Sequence, residues 1–237
     1  MVLMYHQLVE LWKHRFSSQC LSIVHDQAFG ARTPSYKVIQ ELDKKVRNFY
    51  TPTSLQVPGF GGPVGDLQPP PVALTMQRYT GFAIREICTL PCLLIVPRCP
   101  SVFTALFYLH RGFFARAIED SPEDPLGSRY APSVLAAYNS ACAFVGLIKS
   151  LFSQQPALTE RMWFFFTHVF SCAVSCHLYH GTFMTLKLCP KIVLGCIPVK
   201  CPGMALARSA LSHLDSASRL FEQVSENPRA VKVLVSS

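Results

Sequence analysis

The sequence predicts an all-α protein, folded as a compact antiparallel helical array without significant sheet. Three observations predict this class. Apolar residues recur at three- and four-residue steps in several segments, which is the period of a helix with one buried face. Proline-rich stretches separate these segments, and no segment alternates apolar and polar residues for long enough to form a strand. Half of the 237 residues are apolar and only 15% are charged, which is enough apolar material to bury a large core.

The first helix is predicted over residues 36–49. Thr33 is placed to cap it, and Pro34 has the backbone angle that suits a first helical turn. Its apolar residues fall at helical spacing, and they are Val38, Ile39, Leu42, Val46 and Phe49. A long Pro/Gly-rich loop is predicted over 51–71, because prolines and glycines interrupt helices. Within it, the GFGG of residues 59–62 predicts a turn, since no strand precedes it to form a phosphate-binding loop.

Three more helices are predicted after a second proline-rich joint at residues 120–132. Residues 133–152 are apolar almost all round, which predicts a helix buried on most sides. After Pro156, a new helix is predicted over residues 158–173. The last helix is predicted over 204–224, with an ion pair between Asp215 and Arg219 on its outer side. Its inner face is predicted to hold Ala207, Leu211, Leu214, Phe221 and Val224.

Charge and cysteine usage narrow the function classes. The net charge is +8, but the dense basic residues Lys44, Lys45 and Arg47 lie among acids, so they predict a solvated helix face and no nucleic-acid stripe. The N-terminal residues lack the pattern of a secretory signal. The ten cysteines are therefore predicted to be mostly buried, reduced thiols.

No catalytic motif is found, so the sequence predicts a protein that is not an enzyme. His110, His168 and His213 lie far apart, without a cysteine or acid at triad spacing, and are interpreted as structural. A zinc site is the first alternative for residues 172–189, which contain Cys172, Cys176, His177, His180 and Cys189. This group lacks a second ligand pair at the spacing typical of structural zinc, so no metal is predicted.

A helical membrane protein, with spans near 135–152 and 162–186, is the second alternative. The stretch 162–186 contains no Asp, Glu, Lys or Arg and exceeds the roughly 20 residues that cross a bilayer. It contains three histidines, however, and Trp and Tyr do not lie at both of its ends, as they do in an interfacial belt. Buried helices of a large domain produce similar runs, and the sequence favours that interpretation, with no membrane contact.

Three long segments resemble the regulatory region of fungal zinc binuclear cluster transcription factors. Residues 33–61 read TPSYKVIQELDKKVRNFYTPTSLQVPGFG. Residues 106–173 read LFYLHRGFFARAIEDSPEDPLGSRYAPSVLAAYNSACAFVGLIKSLFSQQPALTERMWFFFTHVFSCA. Residues 201–234 read CPGMALARSALSHLDSASRLFEQVSENPRAVKVL. Together these three segments cover 131 of the 237 residues, a little over half of the chain. The region they resemble is the fungal-specific, xylanolytic activator-like domain, which is entirely helical.

The resemblance implies control of transcription in the nucleus by a single helical regulatory domain, residues 1–237. It implies contact with DNA only through the parent protein, and a homodimer or a transcriptional co-regulator as partner. The paired C-x2-C steps of the zinc cluster are missing, so the chain resembles a fragment. Zinc is expected only in the missing DNA-binding segment, and no cofactor is expected in this chain.

Two segments, 87–105 and 174–191, interrupt the resemblance. Valine codons begin with GT and one lysine codon is AAG, so Val174 and Lys191 are consistent with the ends of a translated intron. We hypothesise that both segments are unspliced sequence, and we expect them to bulge outward or to disrupt packing. Transcript sequencing tests this, because dominant messages that retain both segments would contradict it.

Any effector or partner contact is predicted at the aromatic-rich helix and at the long loop. The residues concerned are Phe60, Trp163, Phe164, His168 and Phe170. The competing interpretation is that these rings belong to the core, since aromatic residues at helical spacing usually pack inside.

Overall fold

The computed structural model describes residues 2–30, 32–60, 72–86, 106–173 and 193–225. Within these ranges the chain is helical and has no β-strand, so the all-α class is confirmed. The antiparallel arrangement of the helices stays a prediction. The inserted segments 87–105 and 174–191 and most of the predicted loop after Phe60 lie outside the described residues.

The chain divides into two compact units, residues 1–109 and 110–237. Such a division does not set the number of domains, so the single regulatory domain stays a prediction. The boundary falls within one helix, α5.

The described part of the first unit contains four helices and the start of α5. These are α1 (Val2–Phe16), α2 (Ser22–Ala28), α3 (Tyr36–Arg47), α4 (Val72–Glu86) and α5 (Leu106–Asp120). A π-helical turn, Ser17–Leu21, joins α1 to α2, and a 3-10 turn, Thr53–Leu55, lies between α3 and α4. Helix α1 packs against α4, α2 against α3, and α4 against the 3-10 turn.

No helix was predicted over residues 2–28, although the sequence there contains a helical pattern. Six of the buried residues there recur at steps of three or four, and Leu21 is buried beside them; the six are Val9, Trp12, Phe16, Cys20, Val24 and Ala28. Side chains four positions apart shift gradually around the surface of an α-helix. The extra residue of the π-helical turn offsets this shift, so the buried side chains stay on one face. Cys20 acts in this series as a small apolar residue.

Helix α3 confirms the predicted amphipathic helix, although its cap differs. Ile39, Leu42 and Val46 are buried. The helix ends at Arg47, and its N-cap is Ser35, whose hydroxyl accepts a 3.4 Å hydrogen bond from the backbone N–H of Val38. Thr33 was therefore the wrong cap, because the helix begins at Tyr36 and a cap residue directly precedes the first turn.

The basic face of α3 is confirmed as a solvated face. Lys44 and Lys45 are exposed. Arg47 Nε lies 2.8 Å from Asp43 Oδ1, one turn earlier on the same helix. These charges contact solvent and each other, as i,i+4 pairs on exposed helices do.

The second unit is built around a long helix, α6 (Ala131–Gln154). The others are α7 (Pro156–Thr159), α8 (Trp163–Ala173), α9 (Val193–Lys200) and α10 (Ala207–Ser225). Helix α6 contacts all four, and α8, α9 and α10 contact one another. The prediction of a helix buried on most sides is confirmed, since half of the residues of α6 are buried, including Phe144, Leu147 and Ile148. The predicted helix 158–173 is divided into α7 and α8.

Helix α10 carries the predicted ion pair, with Arg219 Nη2 lying 3.0 Å from Asp215 Oδ2. The predicted inner face was partly wrong, because Leu211 is 53% exposed. Ala207 and Val224 of the predicted face are buried, together with Ala210, Ala217 and Leu220, which were not predicted. The buried face is rotated toward alanines because α10 packs against three helices, and small side chains allow close approach.

Candidate functional site

A pocket of about 160 Å³ lies in the first unit, between α4 and the chain that follows α3. Its walls are mainly apolar and include Leu55, Val57, Phe60 and Phe82. The predicted site residue Phe60 is therefore a lining residue. The part of the predicted loop that is described is packed against α4, with Leu55 and Val57 fully buried.

A turn places Phe60 at this pocket. The backbone N–H of Phe60 donates to the carbonyl of Val57 at 3.0 Å, and Gly59 between them has a φ of 80°. Proline at the second position and a glycine with positive φ at the third are the signature of a type II turn. The predicted turn at residues 59–62 is thus confirmed in its described part. The Phe60 ring then meets Phe82 edge-on, with centroids 5.6 Å apart.

Three hydrogen bonds fix the loop that forms one side of the pocket. Trp12 Nε1 donates to the carbonyl of Tyr50 at 2.9 Å, which ties the loop to α1. Arg78 Nε donates to the carbonyl of Ser54 at 2.9 Å, which ties it to α4. Gln56 Nε2 donates to the carbonyl of Thr51 at 3.2 Å within the loop. These side-chain donors satisfy loop carbonyls, in addition to the backbone hydrogen bonds of the short turns in this segment.

The polar groups of the pocket are Thr51, Gln56 and Arg85. Thr51 Oγ1 is buried and has no hydrogen-bond partner among the described residues. The guanidinium of Arg85 lies over the Phe82 ring, 5.5 Å from its centroid. In its described lining the pocket therefore combines an apolar body with a guanidinium, a side-chain amide and a buried hydroxyl.

The other predicted site residues lie on α8 in the second unit. His168 is 9% exposed and meets Phe144 edge-on, with ring centroids 6.1 Å apart. Phe170 is 47% exposed and meets Phe221 of α10 at 6.4 Å. The structure thus places His168 in the core and Phe170 at the surface, and it does not form one site from them. The side chains of Trp163 and Phe164 lie outside the described part.

Burial sets the protonation of the titratable groups in the second unit. It lowers the pKa of His168 from 6.5 to about 4, so this ring is neutral at neutral pH. It raises the pKa of Cys142 and of Cys196 to about 11, and it also raises the pKa of Cys172. Protonated thiols are weak nucleophiles, so these cysteines act as packing residues.

The cysteines and histidines of the described ranges form no metal site. No group of three His, Cys, Asp or Glu residues placed to hold a metal ion occurs there. The described cysteines are free thiols, and all but Cys142 are buried, as predicted. His110 Nδ1 lies 2.8 Å from Ser133 Oγ, which confirms its structural interpretation. Of the residues considered for zinc binding, Cys172 belongs to the described part of the chain. The others, between residues 176 and 189, lie outside the described part.

No family model, no curated protein and no solved structure matches this chain. The resemblance described from the sequence therefore stays a prediction.

One helix of the described part, α6, is long and apolar enough to cross a membrane. It contains the first predicted span, 135–152. Of its most apolar stretch, 56% is buried inside the protein, as in the core helix of a globular unit. The second predicted span, 162–186, is described only to residue 173.

Sequence reasoning missed Thr51, Gln56, Phe82 and Arg85 as pocket residues. A local signal for two of them exists, since Phe82 and Arg85 are three positions apart and so share one helix face. Gly81, which also lines the pocket, is a gap in the side-chain surface of that face. Nothing in the sequence places Thr51 opposite this helix, because that proximity depends on the path of the loop.

Proposed function

We propose that this chain is the regulatory region of a fungal transcription factor, which controls transcription in the nucleus. It reaches DNA through a zinc cluster segment of the parent protein. Its own role is to sense an effector or to restrain the parent factor, alone or as a homodimer or with a transcriptional co-regulator. The long, ordered resemblance of residues 33–61, 106–173 and 201–234 is the observation that carries this proposal.

Two features of the structure support the proposal. The described chain is helical, as the resemblance implies. A pocket with apolar walls and a few polar groups lies within the first unit, and sites of this kind hold small effectors. The pocket includes Phe60, which the sequence analysis had selected.

A reporter assay tests the proposal. The chain is fused to the DNA-binding domain of a bacterial repressor, and transcription from a promoter with the matching operator is measured in yeast. We expect the fusion to raise or lower transcription relative to the DNA-binding domain alone. A fusion that is nuclear and equally abundant, but gives the same transcription as the domain alone, would contradict a regulatory role.

A matched pair of variants shows whether the effect needs the folded chain. Phe144 is fully buried in α6, and Asn139 is exposed on the same helix. Phe144→Asp places a charge in the core and should abolish the effect, because an unpaired buried charge strongly disfavours folding. Asn139→Asp adds the same charge at the surface and should retain the effect.

The membrane alternative rests on the length and apolar character of α6. Its burial favours packing against protein, because a helix in lipid exposes its apolar surface. Mixing the purified chain with phospholipid vesicles separates the two cases. Our proposal expects the chain to stay in buffer, and stable partition into vesicles would support the alternative.

A further inference from the structure

We propose that Thr33 is a phosphorylation site for a proline-directed protein kinase, an enzyme that modifies a serine or threonine directly before a proline. The sequence contains three such dipeptides, at Thr33-Pro34, Thr51-Pro52 and Ser121-Pro122. The two-residue motif alone does not distinguish them, whereas their structural surroundings select Thr33. This inference goes beyond the regulatory role proposed above and does not depend on it.

Thr33 lies between α2 and α3, outside both helices, and it is exposed. The proline after it disfavours helical backbone angles at Thr33, and the ring of Pro34 fixes its own φ at about −65°. Ser35 is extended as well, with φ −70° and ψ 155°, and it is the cap of α3. The hydroxyl of Thr33 is therefore not used as a cap, and the short extended segment that carries it suits the open acceptor groove of a kinase.

Thr51 has the same motif but lacks this access. Its Oγ1 is buried at the wall of the pocket between α4 and the loop. The loop around it is held by two 2.9 Å hydrogen bonds to backbone carbonyls, one donated by Trp12 and one by Arg78. Reaction at this hydroxyl therefore requires the loop to open first.

Ser121 directly follows α5 and is half-buried. Its backbone N–H donates to the carbonyl of Ala117 at 3.0 Å, which continues the hydrogen-bond pattern of the helix. Four acidic residues lie within three positions of it along the chain, namely Glu119, Asp120, Glu123 and Asp124. These carboxylates and the negative end of the helix dipole repel a phosphate, so the folded chain disfavours modification at this serine.

The surroundings of Thr33 favour a phosphate. The residue lies just before the N-terminus of α3, which is the positive end of the helix dipole. The charged residues within four positions of it along the chain are Arg32 and Lys37, and both are exposed cations. Lys37 also pairs with Glu41 at 4.0 Å on the exposed surface of the helix. Phosphorylation therefore adds negative charge where the local charges and the helix dipole are positive.

The reaction is a phosphoryl transfer from ATP. Thr33 Oγ forms a bond to the γ-phosphorus, the bond from that phosphorus to the β–γ bridging oxygen breaks, and ADP leaves. The hydroxyl proton passes to a carboxylate of the kinase. No group is oxidised or reduced, and this chain supplies only the acceptor hydroxyl.

The purified, folded chain is incubated with a proline-directed protein kinase and Mg-ATP, and the phosphate at each site is followed by mass spectrometry. We expect Thr33 to be the dominant site. Thr51 should react at least about tenfold more slowly, because its hydroxyl reacts only while the loop is open. Thr33→Ala should remove the dominant site, whereas Thr51→Ala is the matched control and should leave the rate at Thr33 unchanged. Circular dichroism verifies that each variant is folded.

Two synthetic peptides, of residues 27–39 and 45–57, separate the effect of the motif from that of the fold. Isolated segments of this length form little stable structure in water, so both hydroxyls are accessible in them. The kinase should therefore modify the two peptides at similar rates, and the preference for Thr33 should be confined to the folded chain.

Three results would overturn the inference. One is a folded chain in which Thr33 acquires no phosphate, and another is equal modification of Thr33 and Thr51 in that chain. The third is a chain phosphorylated at Thr33 that unfolds at a lower urea concentration than the unmodified chain, because the site would then disfavour the added charge. An unchanged or higher urea midpoint is the expected result.

Discussion

His168 makes the stability of the second unit depend on pH. Its ring is 9% exposed and lies edge-on to the Phe144 ring, and burial lowers its pKa from 6.5 to about 4. In the unfolded chain the imidazole takes up a proton near pH 6.5, whereas in the folded chain it resists protonation down to about pH 4. Between these values the unfolded state binds more protons, so the free energy of unfolding falls as the pH falls.

The magnitude follows from the two pKa values. One pKa unit corresponds to about 1.4 kcal/mol, so the full loss below pH 4 is about 3 kcal/mol. Between pH 7 and pH 5, His168 alone should account for a loss of about 2 kcal/mol. Most of the loss therefore occurs in a range where the carboxylates of the chain remain ionised.

Urea unfolding followed by circular dichroism at pH 7 and pH 5 measures this loss. His168→Phe keeps an aromatic ring against Phe144 and cannot titrate, so its stability should fall by about 2 kcal/mol less than that of the wild type over this range. The comparison uses only the change in the free energy of unfolding between pH 7 and pH 5. A difference in stability between the variant and the wild type that is the same at both pH values therefore has no effect on it. His14→Gln alters an exposed histidine and serves as the control.

Parallel losses in the wild type and in His168→Phe would refute the reasoning. A titration midpoint of the His168 ring at or above 6.5, measured by NMR, would refute it directly, because the ring would then carry no desolvation penalty.

Four further substitutions test local features through the free energy of unfolding in urea. Gly112→Ala in α5 should raise it by about 1 kcal/mol, because the new methyl group meets nothing within 4 Å and alanine favours the helix. Gly59→Ala should lower it by about 1 kcal/mol, because φ is 80° at this position, and an unchanged or higher value would contradict the assigned turn. Ser35→Ala should lower it by about 0.5 kcal/mol, since the capping bond is long at 3.4 Å, and no loss would mean that Ser35 is not the cap. Phe144→Ala should lower it by about 3–5 kcal/mol as a cavity opens, and a loss below about 1 kcal/mol would place this ring outside the core.

Helix α3 and helix α10 differ in how far their sequences predicted them. Three of the five predicted apolar positions of α3 are buried. This helix packs against few elements, namely α2 and the π turn. In α10 the helix was predicted and its inner face only in part, since Ala207 and Val224 are buried whereas Leu211 is exposed. Ala210 and Ala217 are buried but were not predicted. Three neighbouring helices select that face, and the apolar pattern of α10 alone does not encode their positions.

The candidate site also contains some residues that the sequence predicted and others that it did not. Phe60 was predicted from an aromatic residue in a Pro/Gly-rich loop, and the type II turn that presents it follows from the local sequence of Pro58 and Gly59. Thr51 and Arg85 were not predicted, because they are 34 positions apart in the sequence. They line one pocket only because Arg78 and Trp12 hold the loop against its neighbours.

The sequence by itself determined what local chemistry controls: the all-α class, the position of α3, the turn before Phe60, the exposed ion pairs and the reduced cysteines. These depend on residues within a few positions of one another, where propensity, spacing and charge act directly. Only the tertiary structure decided which face of α10 is buried, that His168 is desolvated while Phe170 is exposed, and that a loop and a helix enclose a pocket. Such features arise from contacts between distant segments, and their energies depend on packing that no short stretch of sequence contains.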